Sequence, residues 1–109
     1  MAIFKHNKTH TIPSSGLKYA YVHLPPPPNS KNPTLLFIHG FPATSGECSP
    51  QISYFYRPGY GILAPDCIGY GGSSNPLEVS YYVGKAMASD IISIMDTEGL
   101  QQVIGISHD

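Results

Sequence analysis

The run Thr34-Leu-Leu-Phe-Ile38 shows no apolar/polar alternation and ends abruptly in His39-Gly40-Phe41-Pro42. A strand with one wet face alternates; a continuous apolar run predicts a strand covered on both faces, as in a parallel sheet flanked by helices. Two similar runs follow: Tyr60-Gly-Ile-Leu-Ala64, closed by Pro65-Asp66, and Gln102-Val-Ile-Gly-Ile106. Between the first two, residues 48 to 57 predict a short helix with Ile52, Phe55 and Tyr56 on one face and Pro58-Gly59 to stop it. Between the last two, Val83, Met87, Ile91, Ile94 and Met95 recur at helical spacing from Ser80 to Glu98, and Ala88 and Ile92 widen the stripe. Gly99 is placed to end that helix in the left-handed conformation. Strand, helix, strand, helix, strand makes two βαβ units, which the right-handed crossover rule folds into a parallel sheet. The predicted class is α/β.

Ahead of this core, residues 8 to 24 read as an antiparallel hairpin. The β-prone runs Lys8-Thr-His-Thr-Ile12 and Leu17-Lys-Tyr-Ala-Tyr-Val-His-Leu24 flank Pro13-Ser-Ser-Gly16, which suits a reversal. Residues 25 to 33 begin with four prolines, which lack the backbone donors a ladder needs, so they read as an exposed connector. The expected organisation is thus one domain portion: hairpin 8–24, connector 25–33 and βαβαβ core 34–109.

Six Lys and Arg against seven Asp and Glu give a net charge of -1, which leaves no basic surface for a phosphate backbone and argues against nucleic acid as a partner. No apolar run reaches the roughly 18 residues of a membrane span, and Met1-Ala-Ile-Phe-Lys-His has no secretory apolar region, so a soluble cytoplasmic protein is expected. Cys48 and Cys67 lack metal-type spacing and read as free, partly buried thiols. No metal site and no cofactor are expected.

In open α/β sheets the ligand site lies beyond the carboxyl ends of the strands. Three segments lie there: His39-Gly-Phe-Pro42, the loop Asp66-Cys-Ile-Gly69-Tyr-Gly71-Gly-Ser73-Ser-Asn75, and Ser107-His108-Asp109. In this order and spacing they resemble the α/β-hydrolases, specifically the epoxide hydrolase and haloalkane dehalogenase branch, from about residue 9 onward. His39 to Pro42 resembles that family's oxyanion-hole loop, Pro65 to Ser73 its loop after the next strand, and Ser107 to Asp109 the first half of its nucleophile elbow. The implied fold is the N-terminal part of an α/β-hydrolase domain, without the cap and the C-terminal half.

The elbow has two readings. A nucleophile on this strained turn needs small residues two before and two after it. For Ser107, Gly105 fits the first requirement but Asp109 violates the second; for Asp109, Ser107 is the small residue before it. Asp109 is favoured, with a serine esterase using Ser107 as the alternative. The resemblance then implies alkyl chemistry: Asp109 attacks an epoxide or halogen-bearing carbon, and a His-activated water hydrolyses the resulting ester. Phe41 would supply one backbone N–H to the oxyanion of that second step, with His39, Gly40 and Pro42 shaping the loop. Phe41 in this motif leans toward small apolar epoxides or haloacetates as substrates.

Other polar residues receive structural readings. Asp66 is expected to accept loop N–H groups rather than act as an acid, His39 to shape its loop, and His108 to pack. His6, His10 and His23 read as solvated, and Tyr81 and Tyr82 as packing a helix start. None of the five histidines follows Asp109. The family's order of nucleophile, acid, His therefore predicts that the chain as written is a fragment without turnover, or a non-catalytic product. Its last strand would be an open sheet edge prone to self-association.

Overall fold

The computed structural model describes residues 5–40 and 44–107. The hairpin forms as predicted: β1 (Lys8–Thr11) pairs antiparallel with β2 (Lys18–Leu24), and the Ile12 amide donates to the Leu17 carbonyl across the turn. Three further strands, β3 (Thr34–Ile38), β4 (Gly61–Pro65) and β5 (Ile104–Ser107), complete a five-stranded sheet in the order β1-β2-β4-β3-β5. β3 runs parallel to both β4 and β5, while β2 joins β4 antiparallel. β4 and β5 lie on opposite sides of β3, so the two crossovers travel in opposite directions. Right-handedness then sends their helices to opposite faces of the sheet.

This double covering explains the unbroken apolar runs. Leu35, Phe37, Ile62, Ala64 and Val22 face α1 (Ser49–Tyr56), where Ile52 is fully buried and Phe55 packs beside it. Leu36, Leu63, Tyr19 and Tyr21 point the other way, toward α2 (Gly84–Thr97), whose Ile94 is fully buried. Pro50 sits in the first turn of α1, where its missing N–H leaves no bond unmade.

Several boundaries differ from the sequence reading. The stretch from Ser80 is not one helix. A 3-10 turn, Val79–Tyr82, precedes it, Val83 is extended, and the α-helix starts at Gly84. Tyr81 and Tyr82 do pack against the core at this entry, and the Tyr82 hydroxyl donates to the Pro76 carbonyl. Gly99 ends the helix with φ of +71°, and the Leu100 amide reaches back to the Met95 carbonyl. The last strand begins at Ile104, two residues later than predicted. Within the Asp66–Asn75 loop, Asp66, Ile68 and Ser73 are buried.

The largest correction concerns α2 and the hairpin. His23 is buried, not solvated, and His10 is partly buried with its Nε2 3.0 Å from the Ser93 hydroxyl. Asp90, Ser93, Thr97 and Glu98 form a polar stripe that binds the hairpin. The Tyr19 hydroxyl donates to Asp90, and the Tyr21 hydroxyl and Lys8 ammonium donate to Glu98. His23 Nδ1 lies 3.2 Å from Glu98 but out of hydrogen-bonding alignment. Burial pushes the His23 imidazole below its ordinary pKa, and Lys8 adds to that, outweighing the attraction of Glu98. Burial alone would lift the Glu98 carboxyl, but the bonds from Lys8 and Tyr21 and the nearby His23 hold it below the usual value. Desolvation, followed by their carboxylate partners, raises both tyrosines well above the ordinary phenol range.

On the other side of α2, Ala88 and Ile92 face a cavity of about 410 Å³ with Leu36, Ile38, Cys67 and Ile91. Among the described residues, no helix is long and apolar enough to cross a membrane.

Candidate active site

β3 and β5 pair in register with Ile38 opposite Ser107, so the two strands leave the sheet side by side at their carboxyl ends. The segment starting at His39 therefore leaves the sheet beside the end of β5. A cavity of about 380 Å³ opens there, lined by His39, Gly40, Glu47, Cys48, Gln51 and Ser107.

His39 is buried, and its two ring nitrogens are both engaged. The Cys67 amide donates to Nε2 at 2.9 Å, which places the ring proton on Nδ1, where it is shared with the Gly40 carbonyl at 3.0 Å. The ring meets Tyr70 edge-on, centroids 5.0 Å apart. His39 thus ties the end of β3 to the loop after β4.

Asp66 is 3% exposed and anchors the neighbouring loop. One carboxylate oxygen accepts the Ser45 amide at 2.8 Å, the other the Gly72 amide at 3.0 Å. His6 Nδ1 stands 3.7 Å from the second oxygen. The Asp66 amide donates to the Ala20 carbonyl, and Ser73 locks the loop by donating to the Asp66 carbonyl while accepting the Ala20 amide. Gly71 has φ of +51°, and a Cβ there would run into the Asp66 carboxylate. Asp66 is therefore a loop acceptor, in agreement with its sequence reading. Its reach to Ser45, 21 residues upstream, carries no local signal.

Ser107 is the last, exposed residue of β5. Asp109, His108, Phe41 and Pro42 lie outside the described residues. Cys48 and Cys67 are free thiols. Burial raises the pKa of both, with Glu47 adding to the shift at Cys48 and Asp66 at Cys67, which disfavours the thiolate. Among the described residues, no group of three or more His, Cys, Asp or Glu side chains is gathered to hold a metal.

Residues 33–109 match the family model of the alpha/beta hydrolase fold. The chain belongs to the α/β-hydrolase fold family. Among its curated relatives, "Epoxide hydrolase A" of Mycobacterium tuberculosis is 34% identical over 77 residues, covering 71% of this chain and 24% of that protein. The "Epoxide hydrolase" of Caballeronia sordidicola is 36% identical over 77 residues, covering 71% and 23%. The crystal structure of an epoxide hydrolase from Vigna radiata superposes with a TM-score of 0.80 at 30% identity, covering 96% of this chain and 32% of that one. The chain thus spans about a quarter of the length of the curated relatives it matches. Within the α/β-hydrolase fold, the described sheet supplies the hairpin, the first parallel strands and the strand that leads into residues 108 and 109.

Proposed function

We propose that this α/β-hydrolase chain carries the nucleophile and one oxyanion donor of an epoxide-opening enzyme. The observation that carries this reading is the Ile38–Ser107 pairing, which ends β3 and β5 side by side, immediately before His39 and before residues 108 and 109 of the sequence. The relatives named above are epoxide hydrolases, which favours an epoxide over a halide-bearing substrate.

An Asp109 carboxylate oxygen attacks an epoxide carbon, the ring C–O bond breaks, and the alkoxide takes up a proton. Water activated by a histidine then adds to the ester carbonyl, the resulting oxyanion is held by the Phe41 backbone N–H, and its collapse releases a diol and regenerates the carboxylate. Ser107 fits the nucleophile role less well. It belongs to a regular ladder as the partner of Ile38, whereas an elbow nucleophile stands on the turn beyond the strand.

The reaction also needs a histidine and an orienting acid placed after the nucleophile, and these 109 residues supply neither. Turnover is therefore expected from a product that contains them, not from the 109-residue chain alone. In such a product, Asp109→Asn should abolish the covalent ester detected by mass spectrometry with an epoxide, and Ser107→Ala should retain it. The reverse pattern would assign the chemistry to Ser107.

A further inference from the structure

Two consecutive residues of one loop grip both ends of another. The Cys67 amide binds Nε2 of His39 at 2.9 Å, and the Asp66 carboxylate binds the Ser45 amide at 2.8 Å. Between His39 and Ser45 lies the segment that contains Phe41. All three side chains that frame this arrangement, His39, Ser45 and Asp66, are buried, so the bonds are shielded from competing water. The gripping loop is itself fixed to β2 through Ala20, which bonds to the Asp66 amide and to Ser73. The second Asp66 oxygen takes the Gly72 amide, so its carboxylate is oriented from both sides.

We infer that Asp66 is a positioning residue for the oxyanion step: with Cys67 it holds His39 and Ser45, the two ends of the 39–45 segment whose sequence carries Phe41. This rests on the reading of Phe41 as an oxyanion donor. In an aspartyl-ester mechanism that donor acts on the ester carbonyl, so Asp66 should affect ester hydrolysis and leave ester formation alone.

The clamp can be tested on the 109-residue chain independently of any activity. Asp66→Ala removes both acceptors, and amide exchange followed by NMR should accelerate on the order of tenfold at Ser45 and Gly72, the effect of losing about one hydrogen bond. The Gly40 amide resonance should shift, while protection of Tyr21 and Leu63 stays unchanged. Asp66→Asn, which keeps one acceptor, should restore part of the protection. Ser45→Pro offers a second route if Asp66→Ala does not fold. It removes only the donor at the first position of a 3-10 turn, after an extended Thr44, and should produce the same shift at Gly40. Unchanged Ser45 exchange and Gly40 resonance in a folded variant would overturn the clamp.

In a product that turns over, Asp66→Asn should slow ester hydrolysis, by up to about 10²-fold if the donor moves by an ångström, with ester formation at the parent rate. Equal slowing of both steps would contradict the positioning role. Absence of any ester in the parent would instead refute the proposed function and leave the exchange result to decide the clamp.

Discussion

Nε2 of His39 accepts the backbone N–H of Cys67 at 2.9 Å, joining the loop after β3 to the loop after β4. Replacing His39 with Leu keeps a buried side chain but leaves the Cys67 amide without its acceptor. The expected cost is about 1–3 kcal/mol, the range for an unsatisfied buried donor. Urea unfolding of the two proteins measures it, and a His39→Leu variant as stable as the parent would show that the link contributes nothing.

Acid should destabilise the chain through the cluster between the hairpin and α2. His23 has a depressed pKa in the folded state, so below its ordinary value of 6.5 the unfolded chain binds the extra proton more readily and stability falls as pH drops. Glu98 is also depressed, so its contribution is present above 4.5 and is lost as pH falls further, through its folded pKa. The melting temperature should therefore decrease from pH 7 to 5.5 and again toward pH 4. His23→Gln should flatten the first step only. A rise in melting temperature between pH 7 and 5.5 would mean that pairing with Glu98 outweighs the burial of His23.

Gly71→Ala should disrupt the Asp66 loop from within. The residue combines a left-handed φ with a Cβ position already occupied by the Asp66 carboxylate. Left-handed strain alone costs about 1 kcal/mol for a side chain, and the displaced carboxylate adds the loss of its bonds to Ser45 and Gly72. A destabilisation above about 1.5 kcal/mol in urea unfolding is expected, with faster amide exchange at Ser45.

β5 closes the sheet order with one edge unpaired among the described residues, and Ile104 and Ile106 on it are substantially exposed. An apolar edge of this kind templates pairing with another chain. The 109-residue chain is expected to self-associate in sedimentation experiments, and Ile106→Lys should shift it toward monomer. A monomeric parent at high micromolar concentration would contradict this.

The centre of the sheet was legible because β3 and β4 are covered on both faces, and double covering writes an unbroken apolar run into Leu35–Ile38 and Ile62–Ala64. Gly99 was legible because only a local backbone requirement was involved. The polar side of α2 was not. Asp90, Ser93, Thr97 and Glu98 look like a solvated face, and their partners Tyr19, His10 and Tyr21 are more than seventy positions away. His23 was misread for the same reason, since β2 lies between β1 and β4 and Glu98 packs over it. At the site, His39 and Asp66 announced themselves through motifs, but the bond from Ser45 to Asp66 depends on the crossover that brings two loops together, which no local pattern records.

The most direct test of the proposed chemistry is a single turnover in H₂¹⁸O, with a product that extends beyond Asp109 and an epoxide in less than stoichiometric amount. Attack by Asp109 followed by hydrolysis at the ester carbonyl leaves the diol with ordinary oxygen from the carboxylate and puts ¹⁸O into the peptide carrying Asp109. Label appearing directly in the diol, with none at Asp109, would contradict an aspartyl-ester route.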